Sequence, residues 1–240
     1  MAADLPVKAP PALTPAAIVA PNWTGFYVGV NAGYAWGQNA TSCTFIPGIG
    51  SPCQGISFPD LKSRGGLFGA EIGANWQYQN WVVGAAADWS ALDLHANTSF
   101  PSVDPGKTDQ LASRYDWLGT ARGRVGYAVG QSLFYGTGGL AVARVKDTYG
   151  NEVNTGSAGY FATASNRVGW TAGAGWEYRI TQNWGVKLEY LHVDLGDTTL
   201  DISAATTNRT IAFGGNPPGS SVLHFNNAFD LVRAGVNFKW

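Results

Sequence analysis

The sequence predicts an all-β chain, an eight-stranded antiparallel up-and-down transmembrane β-barrel. Three observations carry this. Apolar residues recur with period two along segment after segment, the period of a strand and not of a helix. Only 13% of the 240 residues are charged, while 13% are aromatic and 32 are glycine, too little charge for an ordinary soluble surface. No stretch approaches the ~18 consecutive apolar residues of a spanning helix, so a lipid-facing chain of this kind must cross as strands. Lysine plus arginine (15) nearly balance aspartate plus glutamate (16). That leaves no basic footprint for nucleic acid, and 45% hydrophobic content argues against a disordered acidic chain.

In chain order, residues 1–22 come first. They lack a basic n-region followed by an apolar h-region, but Ala2-Ala3-Asp4 resembles the boundary left by a removed signal peptide. Pro6, Pro10, Pro11, Pro15 and Pro21 keep this segment out of helix and sheet, so it reads as a Pro-rich periplasmic tail before a barrel over 23–240. The first strand, Trp23–Trp36, sets Phe26, Val28, Val30, Ala32, Tyr34 and Trp36 against Gly25, Tyr27, Gly29, Asn31 and Gly33. Gly66–Tyr78 and Trp81–Ala91 repeat the pattern, with Glu71, Asn75 and Asp88 on the polar face. Tyr115–Tyr127 places Thr120, Arg122 and Arg124 opposite Trp117, Ala121, Val125 and Tyr127. Leu133–Val145 is blurred: Leu133, Tyr135, Ala141, Ala143 and Val145 form its expected lipid face, yet Leu140 and Val142 fall on the other. Val168–Tyr178, Trp184–Tyr190 and Asp230–Trp240 complete the set and place Glu177, Lys187, Glu189 and Arg233 on the polar side.

The connections alternate. Gln79-Asn80, Val129–Gln131 and Thr181–Asn183 are tight turns, whereas 37–63, 94–113, 147–165 and 196–225 read as long loops rich in Gly, Ser, Thr, Asn and Pro. Hairpin plus long loop recurs every ~50–60 residues. Short turns at one end and long loops at the other match the bacterial outer-membrane barrel. A soluble barrel would carry more charge and less glycine on its exterior. Aromatics cluster at strand ends, as two membrane interfaces select: Trp76, Tyr78, Trp81, Tyr127, Trp176, Tyr178, Trp184 and Trp240 near the short turns, Trp36, Trp89, Tyr115, Trp117 and Trp170 at the other end. Cys43 and Cys53 stand close together in a turn-rich stretch, which reads as a disulfide formed in an oxidising compartment.

Eight strands enclose a lumen that side chains can fill. The charges Glu71, Asp88, Arg122, Arg124, Glu177, Lys187, Glu189 and Arg233 should form its network, since buried ions must pair. A closed polar plug is one outcome, an intermittent ion pathway the other. The rim residues Asp93, His95, Asp194, Asp197, Ser220, Ser221 and His224 show no recurring spacing that would suggest catalysis. No metal-ligand spacing or phosphate-cradling glycine loop is evident, and no cofactor is expected.

The stretches Trp23-Thr24-Gly25-Phe26-Tyr27-Val28-Gly29, Gly169-Trp170-Thr171-Ala172-Gly173-Ala174-Gly175-Trp176-Glu177-Tyr178 and Lys187-Leu188-Glu189-Tyr190-Leu191, with Ala3-Asp4-Leu5-Pro6, resemble the porin-family outer-membrane proteins of alphaproteobacteria, the outer-membrane immunogenic group. The resemblance covers nearly the whole chain. It implies an OmpA-type eight-stranded barrel in the cell outer membrane of a Gram-negative envelope, with surface-exposed loops and a structural role. It also implies lipid and lipopolysaccharide as neighbours, recognition of the C-terminal strand by the β-barrel assembly machinery, and association with other envelope components. The final residue is Trp240 where the family more often has Phe, and the Cys43/Cys53 pair is not carried over from it. Some members bind haem, for which His95, His224, Tyr149 and Tyr160 are the candidate ligands here.

Overall fold

The computed structural model describes residues 22–39, 41–45, 60–101, 108–151, 159–201 and 221–240. Its strands are β1 (Gly25–Asn39), β2 (Thr41–Phe45), β3 (Leu61–Tyr78), β4 (Trp81–Pro101), β5 (Thr108–Val129), β6 (Ser132–Asn151), β7 (Gly159–Arg179), β8 (Trp184–Asp201) and β9 (Ser221–Lys239). Every neighbouring pair is antiparallel, and β1 closes on β9, so the sheet is a barrel. Closure removes the unpaired backbone that hydrocarbon cannot tolerate. The additional strand follows from where β1 stops. β1 pairs with β9 from Tyr27–Lys239 to Trp36–Asp230, and β2 takes up β9 again from Thr41–Phe225 to Phe45–Ser221. β1 and β2 thus share one side of β9, and eight long strands remain the plan. The tail up to residue 21, Cys53 and Ser220 lie outside the described residues, as do the side chains of Cys43, Tyr160 and Ser221.

The strands reach much further than the sequence pattern suggests. β4 has 21 residues and β5 has 22, whereas a tilted strand crosses hydrocarbon in ~9–11. Much of 94–113, 147–165 and 196–225, expected as loop, is strand. The membrane part is marked by outward aromatics. Trp76, Tyr78, Trp81, Tyr127, Trp184 and Trp240 are exposed near the short-turn end, and Tyr34, Trp36, Phe68, Trp89 and Trp170 mark the opposite border. Trp176 and Tyr178 belong to the first belt, and Trp117, half-buried but outward, to the second. Between the belts Val28, Val30, Ile72, Val83 and Val125 are exposed, a surface that only lipid would cover.

Above the second belt the pattern inverts. Lys62, Arg64, His95, Asn97, Arg114 and Arg144 now face out, and Leu61, Leu94, Ala96, Phe100 and Leu111 face in. Two bulges help make the change. β5 turns Asp116 and Trp117 outward in succession, between inward Tyr115 and Leu118, and β8 does the same with Gly196 and Asp197 between Leu195 and Thr198. Gly196 has φ +68°, the left-handed conformation that a glycine bulge needs. The ladder between β7 and β8 ends at Trp170–Asp194, while β6 and β7 stay paired up to Asn151–Gly159.

Two expectations are corrected. On β6 the inward face carries Leu133, Tyr135, Ala141, Ala143 and Val145, all buried, and Phe134 and Leu140 face lipid. Tyr115 is buried, not part of the outer belt, because the bulge swings it inside; its hydroxyl donates to Asn227 Oδ1 at 2.9 Å and its ring meets Phe229 edge-on at 5.3 Å.

Candidate functional site

The interior is built in layers, each set by which inward positions its strands supply. At the short-turn mouth, Trp23, Val82, Ala128, Leu133 and Tyr135 form an apolar cap. Trp23 is fully buried, its backbone N–H donates to Gln77 Oε1 at 2.7 Å, and the Arg179 guanidinium lies 4.7 Å over its ring. Both residues were missed as site residues. Trp23 was legible, since it continues the odd-numbered inward face of β1. Arg179, two positions past Glu177, continues the inward parity of β7.

Next comes the charged layer. All eight ions expected for it are buried, and the barrel brings them together. Arg122 donates to Asp88 Oδ2 at 2.8 Å and to Glu189 Oε1 at 3.0 Å. Arg233 donates to Asp88 Oδ1 at 2.8 Å and lies 2.7 Å from Glu189 Oε2. Two arginines and two carboxylates therefore alternate in a ring, contributed by β4, β5, β8 and β9. Thr120 and Tyr135 add donors to Asp88 and Glu189 at 2.5 and 2.9 Å. Beside the ring, Lys187 donates to Glu71. Arg124 donates to Asn75 Oδ1 at 2.7 Å and to Glu177 Oε2 at 3.4 Å, with its guanidinium 4.6 Å from the Tyr27 ring and 5.2 Å from that of Tyr135. These multiple partners are what ions need when removed from water. Each tyrosine faces a glycine on the next strand, Tyr27 against Gly73 and Tyr135 against Gly175, and a Cβ at either glycine would occupy the ring's place.

Above the ions an apolar layer of Ala35, Leu67, Leu92, Leu94, Leu118, Leu191, Val193, Phe229 and Leu231 fills the bore. Higher still, Ser113 donates to Asp147 Oδ1 at 2.7 Å, and Asn227 donates to Thr198 at 2.6 Å. Asp147 lies beyond the membrane part. Burial pushes its carboxyl above the ordinary carboxylate range, against hydrogen bonds from Ser113 and Thr198 and the charge of Arg167. A last apolar layer includes Leu61, Phe100, Leu111, Leu200, Leu223 and Phe225. Sequence reading found the ions but not the apolar layers: Leu61, Phe100, Leu111, Leu200, Leu223 and Phe225 fell in expected loops, and Ala35, Leu67, Leu118 and Leu231 lay at strand ends on the face expected to be polar.

The rim candidates do not converge. Asp93 and His95 sit together on the outside of β4, Asp194 and Asp197 on β8, four strands away in sheet order, and His224 on β9 opposite Thr199. Tyr149 is corrected as a surface ligand: it is buried, and its hydroxyl donates to Asp109 Oδ2 at 2.8 Å. Among the described residues, no three His, Cys, Asp or Glu are placed to hold a metal.

The chain is similar to several outer-membrane proteins. The 31 kDa outer-membrane immunogenic protein of Brucella melitensis is 35% identical over 244 residues, covering 100% of this chain and 93% of that protein. The 22 kDa outer membrane protein of Rhizobium leguminosarum bv. viciae is 30% identical over 192 residues, covering 78% and 72% respectively. Among solved structures, the outer membrane protein OprG from Pseudomonas aeruginosa superposes with a TM-score of 0.48 at 12% identity, over 92% of this chain and 98% of that one. The outer membrane protein beta-barrel domain matches residues 9–214. With lipid-facing strands, two aromatic belts and relatives named for the outer membrane, this chain belongs to the outer membrane protein β-barrel domain family.

Proposed function

We propose that the protein is a structural component of the outer membrane: a closed barrel that contributes to envelope integrity and presents loops outward, without catalysis. The observation that supports this reading is the alternating ring of Asp88, Arg122, Glu189 and Arg233, which joins strands from opposite sides of the bore. An ion passing the ring would have to separate pairs whose partners are otherwise stranded in low dielectric, at several kcal/mol per ion. Above the ring it would meet the packed apolar side chains of Leu67, Leu92, Leu94 and Leu118, which cannot replace its water. Lipid and lipopolysaccharide are the expected neighbours of the outward face, and the C-terminal strand with Trp240 is the expected recognition signal for the β-barrel assembly machinery.

The test is single-channel conductance of the refolded full chain in a planar bilayer, after its heat-dependent gel shift verifies folding. A silent bilayer is expected. Reproducible conductance steps would overturn the plug and make the protein a small ion or solute pore.

A further inference from the structure

The exterior just above the second aromatic belt is electrically lopsided. On β3 to β6, Lys62, Arg64, Arg114, Arg144 and Lys146 face out, against the carboxylates Asp60, Asp93 and Asp116. On β8 and β9 the outward residues from the belt upward include Asp194 and Asp230, in register with Trp170 and Trp36, then Asp197 and Asp201, and no Lys or Arg among the described residues. The basic side is ordered. Arg64 pairs in register with His95, His95 with Arg114, and Arg114 with Lys146, so the four form one row across four strands. Three strand spacings make that row roughly 14 Å wide.

Asp116, turned outward by the β5 bulge, holds part of the row in place. Lys146 Nζ lies 2.7 Å from its carboxylate, Arg114 Nε 3.1 Å and Arg144 Nε 3.9 Å. The Lys146 hydrogen bond and the surrounding cations hold the Asp116 carboxyl below its ordinary range, so it stays ionised. Asp93 Oδ1 lies 3.9 Å from Arg114 Nη2, so two carboxylates face three cations and positive charge is left uncompensated on an exposed surface.

We propose that this sector, centred on Arg114, Arg144 and Lys146 with Arg64 at its flank, is a binding site for the phosphates of a glycolipid in the outer leaflet. Its height selects the source of the phosphate. The row stands above Phe68, Trp89 and Trp117, whose rings occupy headgroup depth. Directly below lie Leu140, which is exposed, and Val142, an apolar surface for the acyl chains of the same molecule. A soluble anion would gain nothing from that surface, whereas a phosphorylated acylated sugar meets both. Arginine forks suit phosphate oxygens. The acidic sector repels the same headgroup, so lipid should collect on one side of the barrel.

This inference rests on the barrel being embedded in the outer membrane, and not on its lumen being closed. The test uses the refolded full chain in phosphatidylcholine nanodiscs, with lipid A carrying two phosphates counted on the protein by native mass spectrometry. Dephosphorylated lipid A is the comparison. The intact chain should retain the phosphorylated form at least tenfold better than the dephosphorylated one, with the preference falling as salt rises. The double variant Arg114→Gln/Lys146→Gln should lose that preference, and Asp197→Asn on the opposite sector should keep it. Equal retention by the double variant, or of dephosphorylated lipid, overturns the site. Inorganic phosphate competing as well as lipid would overturn the lipid assignment. Both variants are checked by heat-dependent gel shift. Their conductance is recorded separately, so a leaking barrel that still selects phosphorylated lipid would refute the plug and leave this site standing.

Discussion

The two halves of the barrel use the same strands in opposite ways. Between the belts the outside is apolar and the inside ionic, with Val30 exposed and Arg233 buried. Beyond the second belt the outside carries Arg64 and Arg114 and the inside carries Leu94, Leu111 and Phe225. The difference teaches that solvent, not strand geometry, decides the pattern. In lipid an apolar interior gains nothing over an apolar exterior, so cross-strand ion pairs and hydrogen bonds can bind the lumen. In water the hydrophobic effect again drives Leu and Phe inward.

The comparison can be broken most sharply at Arg233. Arg233→Ala strands Asp88 and Glu189 in the lumen and should cost about 3–5 kcal/mol in urea unfolding of the lipid-refolded barrel. A loss below ~1 kcal/mol would mean that the ring does not bind the membrane half. Leu94→Ala, in the apolar layer, should cost about 2–5 kcal/mol. Here amide exchange should open the outer ends of β4 and β5 while the ladder between the belts stays protected. Uniform loss of protection would show that the halves fold as one unit. Val30→Arg, on the lipid face, should cost about 2–4 kcal/mol. Asn97→Arg, outward on the other half, should stay within ~0.5 kcal/mol. Similar costs for the two would refute the assignment of faces.

The smallest effect is at Asp147. Burial raises its carboxyl in the folded state above the unfolded value of about 3.9. Its contribution to stability is therefore fully present below that unfolded value and is lost as pH rises through the raised one. Amide protection near Ser113 and Thr198 should weaken across that window, and Asp147→Asn should flatten the dependence. An unchanged slope in the variant would remove Asp147 as its source.

Much of the membrane half was legible because the strands there other than β6 alternate apolar and polar or small residues. Val28 and Val30 against Asn31, or Ile72 against Glu71, assign both faces without any partner in view. The β6 strand was misread because both of its faces are apolar: Leu133, Tyr135, Ala141, Ala143 and Val145 point inward, while Phe134 and Leu140 point outward. Apolar residues on both faces leave nothing to choose between. Tyr115 was misplaced because one bulge residue reverses parity, and parity is all that alternation supplies.

By itself the sequence determined the class of fold, the membrane faces of the strands other than β6 and the eight ions of the charged layer, since period two and residue type are local properties. Only closure of the barrel decided who meets whom. Arg233 and Asp88 are 145 positions apart, and Lys187 and Glu71 are 116 apart, yet each pair shares a hydrogen bond across the bore. Register, bulges and the bore's width set those meetings. They arise from hydrogen bonding between distant strands, so alternation within any one strand does not encode them.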